Sequence, residues 1–105
     1  MGHRDWIHNW SIHRVASVIK ANKEYLYTEY EGIPFSIHKV IRLINLKYPC
    51  AHAYYTGYGS KIIRQGLNLL VDEGVLRESF RPARKTDGWV TETFYSFKST
   101  TDGNV

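Results

Sequence analysis

Residues 60 to 97 constrain this chain most. SKIIRQGLNLLVDEGVL, apolar at helical spacing and closed by a glycine, runs straight into RESFRPARKTDGWVTETFYSF, two β-rich runs around a cationic turn. A helix that leads without a linker into a hairpin must share one core with it, so the strands are expected to lay one side against the helices.

The period supports the helix. Ile63, Leu67 and Leu70 recur at i, i+4 and i+7, with Gly66 and Val71 beside them, which makes one apolar stripe. Ser60 is read as the N-cap, its hydroxyl accepting from a first-turn N–H. Gly74 fits the left-handed position that ends a helix, so the helix is expected from Lys61 to Glu73. The opposite face carries Lys61, Arg64, Gln65 and Asn68 at spacings of three and four. Arg and Lys donate to guanine O6 and N7, and Asn and Gln pair with adenine, so these types suit a helix in a major groove. A merely solvated helix face would look the same, and the hairpin that follows is what tips the reading.

In the hairpin, Val75 to Phe80 and Trp89 to Phe97 are expected as strands, with Pro82 to Gly88 as a seven-residue tip. Tyr95 and Phe97 share one side, above Thr91 and Thr93, and that side is expected to pack on the helices. Arg81, Arg84 and Lys85 lie at or near the tip, where cations contact phosphates or enter a minor groove and position a domain more than they read sequence.

On these residues, SKIIRQGLNLLVDEGVLRE above all, the chain resembles the winged-helix superfamily of DNA-binding domains, MarR-like and related small regulators among them. The resemblance covers about residues 10 to 98 and rests on period and order. It implies an α+β winged helix-turn-helix of three main helices with a C-terminal hairpin wing. It further implies double-stranded DNA as the partner, with helix 61–73 in the major groove and wing 81–88 on phosphates or the minor groove. The expected DNA-binding set is Tyr58, Ser60, Lys61, Arg64, Gln65, Asn68, Arg81, Arg84 and Lys85.

Composition agrees with one domain. A chain of 105 residues, 43% hydrophobic, buries one modest core. The net charge of +4 is moderate, but its distribution is not even: residues 39 to 85 hold nine Lys or Arg and three acids. No apolar run approaches the roughly 18 residues of a membrane span and no signal pattern opens the chain, so an intracellular protein is expected. The lone Cys50 forms no internal disulfide.

Upstream, Trp10 to about Lys23 places Ile12, Val15, Val18, Ile19 and later Leu26 on a helical stripe, with 5–10 as an extra turn or a small separate helix. The run YLYTEYE at 25–31 is a frayed helix end or a loop. Gly32 to Phe35 reads as a short strand pairing with the wing, and Ser36 as the cap of a helix from Ile37 to Lys47 with Val40, Ile41 and Ile44 inward. Residues 48 to 59 then form a connection of twelve, long for a tight helix-turn-helix. Tyr54, Tyr55, Thr56 and Tyr58, with the glycine N–H groups, bond phosphates at the helix start, or else Tyr54 or Tyr55 fills the core and the others cover it. Residues 99–105 read as a polar tail.

Other chemistry is less supported. His3, His8 and His13 are five apart and do not stack on one helical face, and Cys50 with His52 supplies only two ligands, so no metal or other cofactor is expected. Tyr54 and Tyr55 lack the partners of a nucleophile, no nucleotide loop is present, and an enzyme is not expected. Trp6, Ile7 and Trp10 either form a two-fold dimer interface or fold back on the first helix. The alternative function is a winged helix used as a protein-interaction module with little DNA affinity, its contact surface the N-terminus and the aromatic insertion. RNA binding ranks third.

Overall fold

The computed structural model describes residues 5–27, 34–54 and 57–98, with the backbone alone of Tyr27, Gly57 and Tyr58. Along the chain come α1 (Ile12–Ala21), α2 (Lys23–Tyr27), α3 (Ile37–Lys47), α4 (Gly57–Asp72), β1 (Leu76–Lys85) and β2 (Gly88–Phe97), with 3₁₀ turns at Ile7–Asn9 and Pro49–Ala51. The class is α+β, with helices first and an antiparallel hairpin last.

The centre of the structure is the crossing of α1 and α4. Ile63, Leu67 and Leu70 are fully buried, as their spacing predicts, and each such side chain contributes about 1.5–3 kcal/mol by leaving water. Gly66 lets the two helices approach closely: a Cβ built there would lie 2.5 Å from Cγ1 and 2.9 Å from Cβ of Val15, itself fully buried. Val15, Ala16, Val18 and Ile19 supply the other side of this contact layer. Ser11 starts α1, its Oγ accepting from the Arg14 N–H at 3.0 Å.

The N-terminal segment folds back. Ile7 and Trp10 are 2% and 3% exposed, and the Trp10 indole N–H donates to the Asp5 carbonyl at 2.9 Å. Ile7 Cγ2 would lie 2.7 Å from a Cβ on Gly59, so the isoleucine sits on the first turn of α4. Of the residues considered for a two-fold interface, Ile7 and Trp10 are therefore core residues, and Trp6 alone stays partly open.

That contact also corrects the start of α4. The helix begins at Gly57, not Lys61, and Ser60 lies inside its first turns at 8% exposure, so Ser60 does not cap it. The other end follows the glycine signal. Gly74 has φ +78, its N–H donates to Val71 at 3.0 Å, and Val75 N–H donates to Leu70 at 2.9 Å, the paired bonds of a glycine-terminated helix.

An earlier helix start shortens the link from α3 to residues 48–56, and the described part of it is ordered by Asn45. The Asn45 Nδ2 donates to the Ala53 carbonyl at 3.0 Å while its Oδ1 accepts from the Ala53 N–H at 2.8 Å. Ala51 and Ala53 are buried, and His52 between them takes the left-handed conformation at φ 47. Tyr54 is 60% exposed and fills no core space, while Tyr55 lies outside the described residues. Ser36 holds the position before α3 without a side-chain capping bond, and Val40, Leu43 and Ile44 are fully buried, with Ile41 only partly so.

The hairpin departs from expectation at its tip. β1 continues to Lys85 and pairs with Gly88, so only Thr86 and Asp87 make the turn, with Gly88 at φ +127. Pro82 thus lies within a strand. Counting back from the turn puts it opposite Thr91 at a position whose N–H would point away from β2, where the ladder loses no bond. The same count turns Tyr95 outward from β1, and Tyr95 exchanges both backbone bonds with Phe35 at 2.7 Å. The short strand expected at 32–35 is seen as this single bridge, Gly32 and Ile33 lying outside the described residues. The rings of Phe35, Tyr95 and Phe97 cluster beneath it, with centroids 5.8 to 6.1 Å from that of Phe35.

Candidate functional site

The exposed face of α4 meets the hairpin across a cleft of about 330 Å³. Arg64 of α4 lines it, together with Ser36, Ile37 and His38 at the start of α3, Lys85 of β1, and Val90, Thr91, Glu92, Thr93 and Tyr95 of β2, so that two of its charged groups are cations and one is an acid. Residues expected from separate parts of the sequence, Arg64 and Lys85, are brought together here. Lys61 and Asn68 are exposed on the same helix, and Gln65 is half-buried beside them. Ser60 is withdrawn into the interior, and the side chain of Tyr58 lies outside the described residues.

The hairpin cations do not form one cluster at a tip. Alternation along β1 sends Arg84 to the inner side of the hairpin, the side shared with Tyr95 and Phe97, and sends Arg81 and Lys85 to the outer side. The Arg81 guanidinium lies 5.2 Å from the Phe94 ring centroid, a cation–π contact. The Lys85 Nζ is 3.8 Å from Glu92 Oε1, an exposed pair of little consequence for stability. All three cations remain at the surface.

At the floor of the cleft is Tyr95, 5% exposed. Burial pushes its phenol above the ordinary tyrosine value, the nearby Glu78 carboxylate pushes it the same way, and the Arg64 guanidinium opposes both. The raised value favours the folded state fully below about pH 10, and this contribution is lost as pH climbs through the folded-state value. Alkaline difference absorbance should accordingly contain a phenolate component titrating above the ordinary range that Tyr95→Phe removes. A Tyr95→Phe difference curve centred at the ordinary tyrosine value would contradict this placement.

Two groups escape the sequence reading. One is Asn45, whose amide looks like any polar helix residue until its partner eight residues on is known. The other is an aromatic set in which Arg14 lies 3.8 Å from the Trp10 ring centroid and 5.7 Å from that of Tyr48, while Trp6 makes edge contacts with His8 and His52. Among the described residues no group of three or more His, Cys, Asp or Glu is placed to hold a metal ion, and no helix is long and apolar enough to cross a membrane. No family model matches the chain, and no curated protein or solved structure matches it.

Proposed function

We propose that the protein is a winged-helix binder of double-stranded DNA, acting inside the cell as a sequence-specific regulator of transcription or replication. In this reading α4 enters the major groove and the hairpin lies along the flanking backbone. The observation that carries it is the convergence of Arg64, from the polar face of α4, and Lys85, from the hairpin, on one cleft, with Lys61, Asn68 and Arg84 exposed alongside. Two elements that each present cations would grip phosphates on either side of a groove, and Arg and Asn on the helix supply the donors and acceptors that read base edges.

Fluorescence anisotropy with labelled random-sequence duplex at about 50 and 200 mM salt tests it. Micromolar or tighter binding that weakens steeply with salt is the expected result, because neutralised phosphates release counterions. No binding at the lower salt would end the DNA reading.

A second reading, a protein-interaction module, is favoured by a different observation. Leu46, Tyr48 and Tyr54 are 63%, 38% and 60% exposed along the end of α3 and the connection after it, and Trp6 stacks edge-on against His52 of the same connection. Apolar and aromatic side chains in this concentration suit a protein partner. A dimer would use such a surface, since Ile7 and Trp10 are already buried.

A further inference from the structure

The outer half of the hairpin carries large apolar side chains that the core does not use. Trp89 is 67% exposed, Phe80 61% and Val90 42%. Register places Phe80 opposite Thr93, Pro82 opposite Thr91 and Arg84 opposite Trp89, and these three rungs share the inner side with Tyr95 and Phe97. Near the body that side is covered by the helices. Beyond Tyr95 it stands open, with two aromatic side chains on opposite strands and four rungs apart, roughly 13 Å along the hairpin.

We infer that this open inner face is a base-stacking surface, and that the preferred ligand is a duplex bordered by unpaired nucleotides. The inference rests on the DNA reading above and names the kind of DNA. Three features suit a nucleobase. Phe80 and Trp89 together expose on the order of 250 Å² of aromatic side chain, ample for a base or two. Charge suits a strand that carries phosphates: Arg84 shares both the rung and the side of Trp89, Arg81 and Lys85 project from the opposite side with Glu92 beside Lys85, and the acid of the inner side, Glu78, lies back at the rung of Tyr95. The cleft beside this face is lined by Thr91, Thr93, Ser36 and Arg64, and the ladder alternation turns the peptide groups of Thr91 and Thr93 away from β1, toward that open edge. Ring faces for stacking thus adjoin polar groups able to meet a base edge. A paired base offers neither its face nor its pairing edge, whereas an unpaired one offers both.

The test compares three labelled probes by anisotropy: a blunt duplex, the same duplex with a single-stranded thymidine overhang on its 3′ or 5′ ends, and oligothymidine alone. The wild-type protein is expected to bind one of the overhang duplexes about tenfold more tightly than the blunt duplex, within the range that one stacked base supplies. Trp89→Ala should remove this preference and leave blunt-duplex affinity unchanged, and Phe80→Ala should remove part of it. Both side chains are mostly exposed, so neither change opens the core. Equal affinity for blunt and overhang duplexes overturns the stacking surface while the DNA reading stands. A loss with Trp89→Ala that is the same on both duplexes also overturns it, since Trp89 would then contact DNA generally. Oligothymidine bound as tightly as the overhang duplex removes the duplex from the description of the ligand and overturns the proposal as stated. Failure to bind any of the probes overturns the DNA reading itself.

Discussion

Gly66→Leu is expected to abolish cooperative unfolding, and Gly66→Ala to lower stability by about 1–3 kcal/mol, the usual cost of overpacking a close-packed core. For an exposed helix glycine the sign would be opposite, because alanine gains about 1 kcal/mol in helix propensity. The contact decides which term wins. A Cβ at residue 66 falls 2.5 Å from Cγ1 of Val15, a β-branched side chain fixed between α1 and α4 with no solvent to move into. In thermal unfolding each kcal/mol is about 4–8 °C for a domain near this size. Val15→Ala should partly relieve Gly66→Ala, so the double variant should be more stable than the two single losses predict. A Gly66→Ala protein that melts higher than wild type would show that α1 and α4 do not approach closely at this point.

On the proposed DNA reading, reversing charge on the hairpin, Arg84→Glu with Lys85→Glu, should weaken duplex binding about a hundredfold at 50 mM salt if each side chain neutralises one phosphate, since counterion release makes one contact worth about tenfold there. The loss should be similar for every sequence, and the salt slope should flatten by about two. Arg64→Ala and Asn68→Ala should instead relax preference among sequences, with each direct base contact worth about 1–3 kcal/mol of discrimination. Both hairpin residues are exposed, and Lys85 gives up only a 3.8 Å surface pair with Glu92, so the fold should tolerate the change. The proposal is sunk by double-variant affinity within a factor of two of wild type. Identical effects of the helix and wing substitutions on all sequences would leave binding but remove specific readout.

Elements with a long period or a strong terminator were legible in the sequence. α3 matches its expected bounds of Ile37–Lys47, and the glycine end of α4 follows from Gly74, whose conformation is costly for other residues. The start of α4 was not legible, because Gly57 and Gly59 have poor helix propensity and helicity there comes from Ile7, fifty residues away, packing onto the turn. The extent of the hairpin tip was not legible, for a local reason. Pro82 reads as a turn former, and only the register shows that it occupies a site with no ladder donor to lose. Burial of Ile7 and Trp10 left no period to detect, since a three-residue 3₁₀ turn is too short to establish one. Of the candidate site, the polar row on α4 was readable from spacing. The division of Arg84 from Arg81 and Lys85 between two sides was not, because it depends on a turn two residues long instead of seven.

The two-residue turn has a consequence for how such a hairpin can change. Its outer rungs are tied to one another along the ladder, and the Phe35–Tyr95 bridge ties β2 to the body. A rung added or removed at the tip takes one residue from each strand and alters reach by about 3.3 Å, but it also exchanges which side the next pair faces. Adding or removing two rungs at a time restores the facing pattern, so a lengthened or shortened arm keeps its chemistry only in steps of roughly 7 Å. Reach and side-chain orientation are therefore not independent quantities in this protein, and insertions of a single residue in one strand should be far more disruptive than balanced insertions of four.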